Sequence, residues 1–403
     1  MLKINNPKLI LIFIILFTLF FRLNRIDYPN TYVFDEVYHA FTAKEYLSNN
    51  PDAWVWWSTP PKGVAFEWTH PPLAKEIMAL SMFIFQSTDP WAWRIPGVIF
   101  GTLSVFLVYR LALLLFKKES IGLLSAFIFS VDGLNFVQSR TGMNDIYYVT
   151  LILASLYLFL RNKFFFSSVL FGLAISSKWA AIYLLGIFLI LIFKQKIFSK
   201  VVYFILIPPI IYLLSYTPFF LLGFSSDQFI HLQQQMWWYH TGLKATHAYS
   251  SPWWSWPLNF YPVWYFVEYP NNQIANIFAS GNPTVFWAGS IAIIFTTWDF
   301  FKKKSINLFI VLLAFFAFWL PWSFSPRIMF LYHFSPCVPF LCIALGYQLG
   351  EAFKTKANKL LIASILFILL ISFLLLYPFL TGIALPKELV NIFFYTNAAE
   401  NPF

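Results

Sequence analysis

The sequence contains few charged residues. Only 11% of its 403 residues are Asp, Glu, Lys or Arg, whereas 59% are hydrophobic. This composition excludes a soluble globular protein. Because apolar runs of about twenty residues recur along the chain, it indicates an integral membrane protein instead.

Cysteine is also scarce. Cys337 and Cys342 are the only two, and both fall within one apolar run, where we expect small core residues. A disulfide framework and a Cys-based metal site are therefore excluded. Asp, Glu and His could in principle hold a divalent metal, but they show no compact ligand spacing, so we predict neither a metal nor another cofactor.

Nucleotide-binding motifs are missing as well. No G-x-G-x-x-G or P-loop sequence opens a strand and a helix, so a nucleotide-sugar domain is excluded. The net charge of +10 comes from basic residues scattered singly or in short groups between apolar runs. This is the pattern of membrane topology signals, and we expect no nucleic-acid partner.

What the chain does contain is a series of apolar segments. A span needs about 20 residues at about 1.5 Å each to cross a hydrocarbon layer of about 30 Å. We predict an all-α polytopic bundle of eleven spans, at residues 7–25, 96–116, 120–138, 143–160, 164–177, 179–193, 201–222, 284–300, 306–321, 328–349 and 360–380.

Lysine and arginine residues indicate on which side of the membrane each gap between spans lies. They gather in alternate gaps, which are cytoplasmic by the positive-inside rule. The rule holds only if 164–177 and 179–193 are two spans separated at Lys178. Arg22 and Arg25 lie at the end of the first span, and no small-residue cleavage site follows them, so we predict a retained anchor.

Two long segments without spans then lie together on the outer face, residues 27–94 and 223–283, which we call the first and second outer segments. We predict three units: an N-terminal catalytic module (1–222), the second outer segment (223–283) and a C-terminal four-helix module (284–403). Within the first outer segment, residues 70–85 show helical apolar spacing but are too short to span. We predict a helix in the membrane interface.

Asp35 and Glu36 are adjacent carboxylates just past the first span. Repulsion between like charges and a nearby low dielectric raise a carboxyl pKa, as a general base requires. The pair is thus a candidate catalytic site. The alternative is an acidic, solvated loop.

Four cationic residues lie at the outer ends of spans, where the positive-inside rule does not explain them: Arg94, Arg140, Lys178 and Arg327. Cations gathered at a membrane surface are suited to binding a phosphate. Long basic side chains that extend to lipid headgroups are the alternative. For Asp145 the simplest expectation is a helix cap.

Several motifs together closely resemble the protein O-mannosyltransferase family. They run in order from residue 30 to residue 348: FDE (34–36), HPPLAK (70–75), Arg94, VQSR (137–140) followed by Asp145, SKW (177–179), YH (239–240), THAYSSPWWSWP (246–257), LPW (320–322), SPR (325–327) and YH (332–333). The resemblance implies the GT-C membrane fold.

The resemblance also implies an activity, the transfer of mannose from polyprenyl-phosphate-mannose to Ser or Thr of translocated proteins. Asp35 would be the base, Glu36 would orient acceptor or sugar, and the four cations would hold the donor phosphate. The residues that would bind the sugar or the acceptor are His70, Asp145, His240, His247, Trp253 and His333. The expected location is the plasma membrane with the site outside, and the secretion translocon is a candidate partner.

The sequence departs from the family pattern in two places. Ala74 stands where we expect Gly, and the second outer segment has no room for the β-trefoil domain of eukaryotic members, so the chain resembles a bacterial or archaeal form. Two alternatives stay open. One is a related transferase with a lipid or glycan acceptor, and the other is a transporter or flippase that uses Asp35 and Glu36 as a proton relay.

Overall fold

A computed structural model describes residues 6–352 and 356–393. Residues 1–5 and 394–403 of the predicted terminal units lie outside it. The described helices are α1 (Pro7–Leu23), α2 (Glu36–Leu47), α3 (Leu73–Phe85), α4 (Pro90–Phe116), α5 (Glu119–Ser130), α6 (Gly133–Gln138), α7 (Asp145–Leu160), α8 (Phe164–Ser177), α9 (Tyr183–Gln195), α10 (Val201–Ser215), α11 (Thr217–Leu221), α12 (Ser226–Gly242), α13 (Pro283–Lys303), α14 (Ile306–Trp319), α15 (Val338–Ala352), α16 (Lys356–Thr381) and α17 (Lys387–Phe393).

Apolar helices form the body of the molecule. Within the described residues, five are long and apolar enough to cross a membrane: Pro90–Phe116, Phe198–Ser215, Pro283–Lys303, Ile306–Phe324 and Asn358–Thr381. Five shorter apolar helices pack with them, and α1 adds 17 residues. Large apolar side chains such as Phe13, Ile205 and Phe367 are more than half exposed on the outside of this bundle, as expected for surfaces that face lipid.

Each of the eleven predicted spans overlaps one of these helices, so the predicted polytopic helical fold is confirmed. Lys178 separates α8 from α9 in an extended conformation, as the charge pattern required. Two spans are broken, between α5 and α6 and between α10 and α11. The predicted start of the tenth span at residue 328 is wrong, because residues 328–337 contain only a short 3₁₀ helix, Leu331–Phe334, and the α-helix begins at Val338.

The first outer segment contains the predicted helix, as α3, and one that the sequence analysis missed, α2. The second outer segment is not purely helical. It contains an antiparallel hairpin, β1 (Val263–Glu268) and β2 (Gln273–Ala279), to which the two-residue strand β3 (Leu385–Pro386) adds. Side chains from both outer segments, including Phe66 and Met236, share one buried cluster, so the segments do lie at the same end of the bundle.

A buried ion pair fixes the chain between α1 and α2. The Arg94 guanidinium, on α4, donates to both carboxylate oxygens of Glu36 at 2.8 and 2.7 Å. Its remaining N–H groups donate to the backbone carbonyls of Ile26, Pro29 and Thr31 at 3.0–3.1 Å. All five guanidinium donors are therefore used within the protein.

Glu36 is equally saturated. Besides Arg94, its carboxylate accepts hydrogen bonds from the Trp93 indole and from the backbone N–H of Gly142 and of Val33, at 2.8–3.0 Å. Glu36 and Arg94 are 0% and 1% exposed. Because the chain on both sides of Asp35 is held by these bonds, the position of Asp35 depends on this pair.

We predict that Arg94→Met strongly destabilises the protein. Removing one partner leaves the Glu36 carboxylate buried without its counter-charge, which costs about 3–5 kcal/mol. Thermal and denaturant unfolding in detergent micelles would measure the loss. Lys118, which pairs with Glu351 and is about one-third exposed, provides the control, since Lys118→Met should cost less than about 1 kcal/mol. Equal losses for the two variants would contradict this account.

Candidate functional site

A cavity of about 860 Å³ opens where the two outer segments meet. Its polar lining comes from both of them and from the turn before α15. Aromatic walls surround the polar groups. The charged or ionisable side chains, tyrosines aside, are Asp35, His39, Glu67, His70, His247 and Arg327.

Asp35 lies at the start of α2, with a half-buried carboxylate that faces the cavity. Within the described residues, its side chain accepts no hydrogen bond. Burial and the charge of Glu67 raise its pKa to about 7, and Asp145 acts in the same direction, while Lys178 and Arg327 oppose the rise. The carboxyl can therefore gain and lose a proton near neutral pH, as a general base must.

An aromatic stack supports the backbone next to Asp35. Phe34 has a left-handed conformation with φ of 47°, which is strained for a bulky side chain. Its ring stacks on Tyr265 with centroids 4.3 Å apart, and the Tyr265 hydroxyl bonds Gln138 at 3.2 Å. Tyr265 lies at a register shift in the hairpin, which directs its side chain toward Phe34. The second outer segment thus supports the backbone beside Asp35.

Glu36 does not line the cavity, although it follows Asp35 directly. Both of its oxygens face Arg94 and the other donors described above. Arg94 has no donor left for a substrate. The geometry of both residues favours a positioning role, and the predicted roles of Glu36 with acceptor or sugar and of Arg94 with phosphate stay predictions.

Of the other three cations, Arg140 and Lys178 are also occupied. Arg140 donates to the carbonyls of Phe21, Asn24 and Arg25 at the end of α1, at 2.7–2.9 Å. Lys178 binds both carboxylate oxygens of Asp145 at 2.9 and 3.0 Å. Asp145 is in the first turn of α7, but Asn144 is the cap, so the expected capping role is replaced by this ion pair.

Arg327 is different. One of its terminal nitrogens, Nη1, contacts His240 Nδ1 at 2.6 Å, and the group lies over the Tyr239 ring at 5.0 Å. Its Nε is buried without a partner among the described residues. Of the four predicted cations, Arg327 lines the cavity and retains an open donor.

The predicted histidines differ in where they lie relative to the cavity. His240 donates from Nε2 to the carbonyl of Thr69 at 2.8 Å and stacks on His70 at 5.1 Å, which joins the two outer segments. Burial and the charge of Arg327 lower the pKa of His240 to about 4, so the ring is neutral. His247 lines the cavity, whereas His333 and Trp253 pack behind its wall against Trp256 and Trp319.

The sequence analysis missed His39 and Glu67. His39 follows Asp35 by four residues, which places both on one face of α2, but α2 was not predicted. Glu67 is buried in an irregular stretch, where no periodicity distinguishes it from a solvated acid. Among the described residues, no group of three or more His, Cys, Asp or Glu side chains could hold a metal ion.

Solved structures with a similar fold indicate the class of this protein. The fold matches the S. cerevisiae protein O-mannosyltransferase Pmt1–Pmt2 complex bound to the sugar donor, with a TM-score of 0.82, 15% identity and coverage of 98% of this chain and 93% of that one. ArnT from Cupriavidus metallidurans in the apo state matches with a TM-score of 0.64 and 14% identity over 87% of this chain and 62% of that one. The chain is therefore a multi-pass membrane protein with the GT-C glycosyltransferase fold.

The family follows from sequence. Residues 69–221 match the dolichyl-phosphate-mannose-protein mannosyltransferase model, and residues 224–393 match the C-terminal four-transmembrane region of protein-O-mannosyltransferase. The polyprenol-phosphate-mannose–protein mannosyltransferase of Corynebacterium glutamicum is 26% identical, with 83% of this chain and 80% of the relative covered. The Mycobacterium tuberculosis protein of that name is 21% identical over 93% and 88%. This chain belongs to the protein O-mannosyltransferase family.

We predict that the Asp35 carboxyl titrates near pH 7. Infrared difference spectra of wild type against Asp35→Asn should show a protonated carboxyl band that disappears as pH rises through about 7. Glu67→Gln should move this transition to lower pH, because it removes a negative charge that raises the Asp35 pKa. Asp227→Asn, an exposed substitution on α12, is the control. An unchanged midpoint in Glu67→Gln would contradict the proximity of the two acids.

Proposed function

We propose that this protein transfers mannose from a polyprenyl-phosphate-mannose donor to Ser or Thr hydroxyls of translocated proteins, with its site on the extracytoplasmic face of the plasma membrane. One observation carries the proposal: an open carboxylate with a pKa of about 7 shares a cavity with a guanidinium that has an unused donor. Membership in the family supports the donor and acceptor classes.

The proposed reaction is a single inverting displacement. The acceptor oxygen bonds to the anomeric carbon of the sugar as its proton passes to Asp35, and the bond between that carbon and the phosphate oxygen breaks. The phosphate leaves with the electron pair. Its negative charge is stabilised by Arg327, with Lys178 acting through its charge alone.

The buried cations acquire a different proposed role from the one that the sequence suggested. Arg94 and Arg140 hold the backbone between α1 and α2, and so place Asp35 at the cavity. Their contribution to catalysis is therefore indirect. His240 has a comparable role, because it contacts Arg327 on one side and Thr69 on the other.

We predict that Asp35→Asn lowers transfer to a Ser/Thr-rich peptide by roughly 10²–10⁴-fold. The amide preserves the shape of the side chain but cannot take the proton. Radiolabelled polyprenyl-phosphate-mannose with purified protein in lipid vesicles would measure the rate. In wild type, the rate should rise with pH through about 7, because the ionised form of Asp35 is the base.

The controls in this assay separate the alternatives. Asp227→Asn should transfer at the wild-type rate. Near-normal transfer by Asp35→Asn would exclude this residue as the base. Transfer of label to lipid but not to peptide would indicate a glycolipid acceptor, and movement of donor across the vesicle without transfer would indicate a flippase.

We predict that Arg327→Ala weakens use of the donor. Loss of a charged hydrogen bond to phosphate should reduce kcat/KM for the donor by roughly 10–100-fold, while KM for the peptide changes little. Arg327→Lys should recover only part of the loss, because an ammonium group cannot present the planar fork of donors. Arg161→Ala, an exposed substitution between α7 and α8, should have no effect. An equal loss in both alanine variants would refute the assignment.

A further inference from the structure

The His39 ring and the Glu67 carboxylate face each other in the cavity wall. His39 Nδ1 lies 3.2 Å from the carbonyl oxygen of Gly142. A carbonyl oxygen only accepts, so Nδ1 carries the hydrogen, and Nε2 of the neutral ring is an acceptor. This Nε2 lies 3.5 Å from the Glu67 carboxylate oxygen Oε2.

His39 is neutral in this setting. Burial, followed by the positive charges of Lys75 and Lys178, lowers the pKa of His39 well below its ordinary value of 6.5. Nε2 therefore carries no hydrogen that it could donate to Glu67. The Asn144 amide donates to Nε2 only at 3.4 Å, a long hydrogen bond.

Glu67 has one occupied and one open oxygen. Oε1 accepts from the Thr69 hydroxyl at 2.5 Å and from the His70 backbone N–H at 2.9 Å, which fixes the carboxylate plane. Oε2 accepts no hydrogen bond from the described residues. Both His39 and Glu67 line the cavity, so Nε2 and Oε2 lie beside a space that a substrate can enter. There, a hydroxyl group can compete with the long Asn144 contact to Nε2.

We propose that Glu67 and His39 form the subsite that binds two neighbouring hydroxyl groups of the donor sugar, a step that rests on the proposed function. Hydroxyl groups on adjacent ring carbons have a spacing similar to that of the two acceptors. Each would donate one hydrogen, and the bond to the carboxylate would be charge-assisted. A Ser or Thr acceptor has a single hydroxyl hydrogen and cannot satisfy both atoms.

The position of the pair supports this assignment. His39 lies one helical turn after Asp35 on the same face of α2, and the charge of Glu67 acts directly on Asp35. A sugar held by the pair is therefore adjacent to the candidate base. A bound cation is disfavoured, because Lys75 and Lys178 are close and no third ligand is available among the described residues.

Two variants remove the subsite while preserving the surrounding bonds. In Glu67→Gln, the amide oxygen can accept the Thr69 and His70 hydrogen bonds, while the amide nitrogen donates to His39 Nε2 and closes the pair. In His39→Asn, the amide nitrogen can still donate to the Gly142 carbonyl, but the Nε2 acceptor is lost.

The test uses polyprenyl-phosphate-mannose and a series of donors that lack one ring hydroxyl at a time. Wild type should lose roughly 10–100-fold in kcat/KM when either of two adjacent hydroxyls is missing. Glu67→Gln, which closes the pair, should show a similar loss with mannose and little further loss with either of those two donors. His39→Asn should show a similar loss with mannose and little further loss only with the donor that lacks the hydroxyl bound by His39. Rates are compared two pH units above the Asp35 pKa of about 7, so that Asp35 is ionised in every protein.

Glu76→Gln is the matched control, because Glu76 is a half-buried acid on α3 that lines a separate depression. It should behave as wild type with every donor. Variants that lose the same factor with all donors, or that lose nothing, would overturn the subsite. Displacement of labelled donor is measured in parallel, so that the subsite is tested by affinity even if transfer to peptide, and with it the proposed function, fails.

Discussion

The geometry of the site depends on the buried ion pair between Glu36 and Arg94. Placing two charges away from water costs several kcal/mol per ion, and attraction between them repays that cost only when the remaining hydrogen-bonding groups are also satisfied. Here they are, because Arg94 uses all five donors and Glu36 receives five hydrogen bonds. Three of the acceptors are backbone carbonyls between α1 and α2. The pair therefore determines the path of the chain to Asp35, and with it the position of the candidate base.

Two adjacent acids consequently have opposite environments. Glu36 is in the first turn of α2 and faces α4, where donors surround it. Asp35 precedes that turn and faces the cavity, where Glu67 and Asp145 repel its charge and no described donor compensates its burial. At Glu36, hydrogen bonds stabilise the buried carboxylate. At Asp35, burial without such bonds raises the pKa. This difference separates a structural acid from one suited to accept a proton.

Much of the architecture follows from local pattern. Apolar length located the helices of the bundle, basic residues required the break at Lys178, and apolar spacing indicated α3. The sequence analysis missed α2, because it is short and its apolar residues do not form a clear stripe. It also missed the hairpin formed by β1 and β2 in the second outer segment. Both elements are stabilised by contacts with distant segments, which local patterns do not record.

The sequence by itself determined the class of protein, the family and the candidate base, because composition, apolar length and ordered motifs are properties of the chain. Only the tertiary structure decided which charges are free to act. Arg94, Arg140 and Lys178 look like Arg327 in sequence, yet they are bonded to partners at positions from 21 to 145 and do not line the cavity, whereas Arg327 lines it and keeps an open donor. His39 and Glu67 become neighbours only when α2 packs beside residues 65–70. Whether a buried polar group has a partner depends on such packing, and no local pattern specifies it.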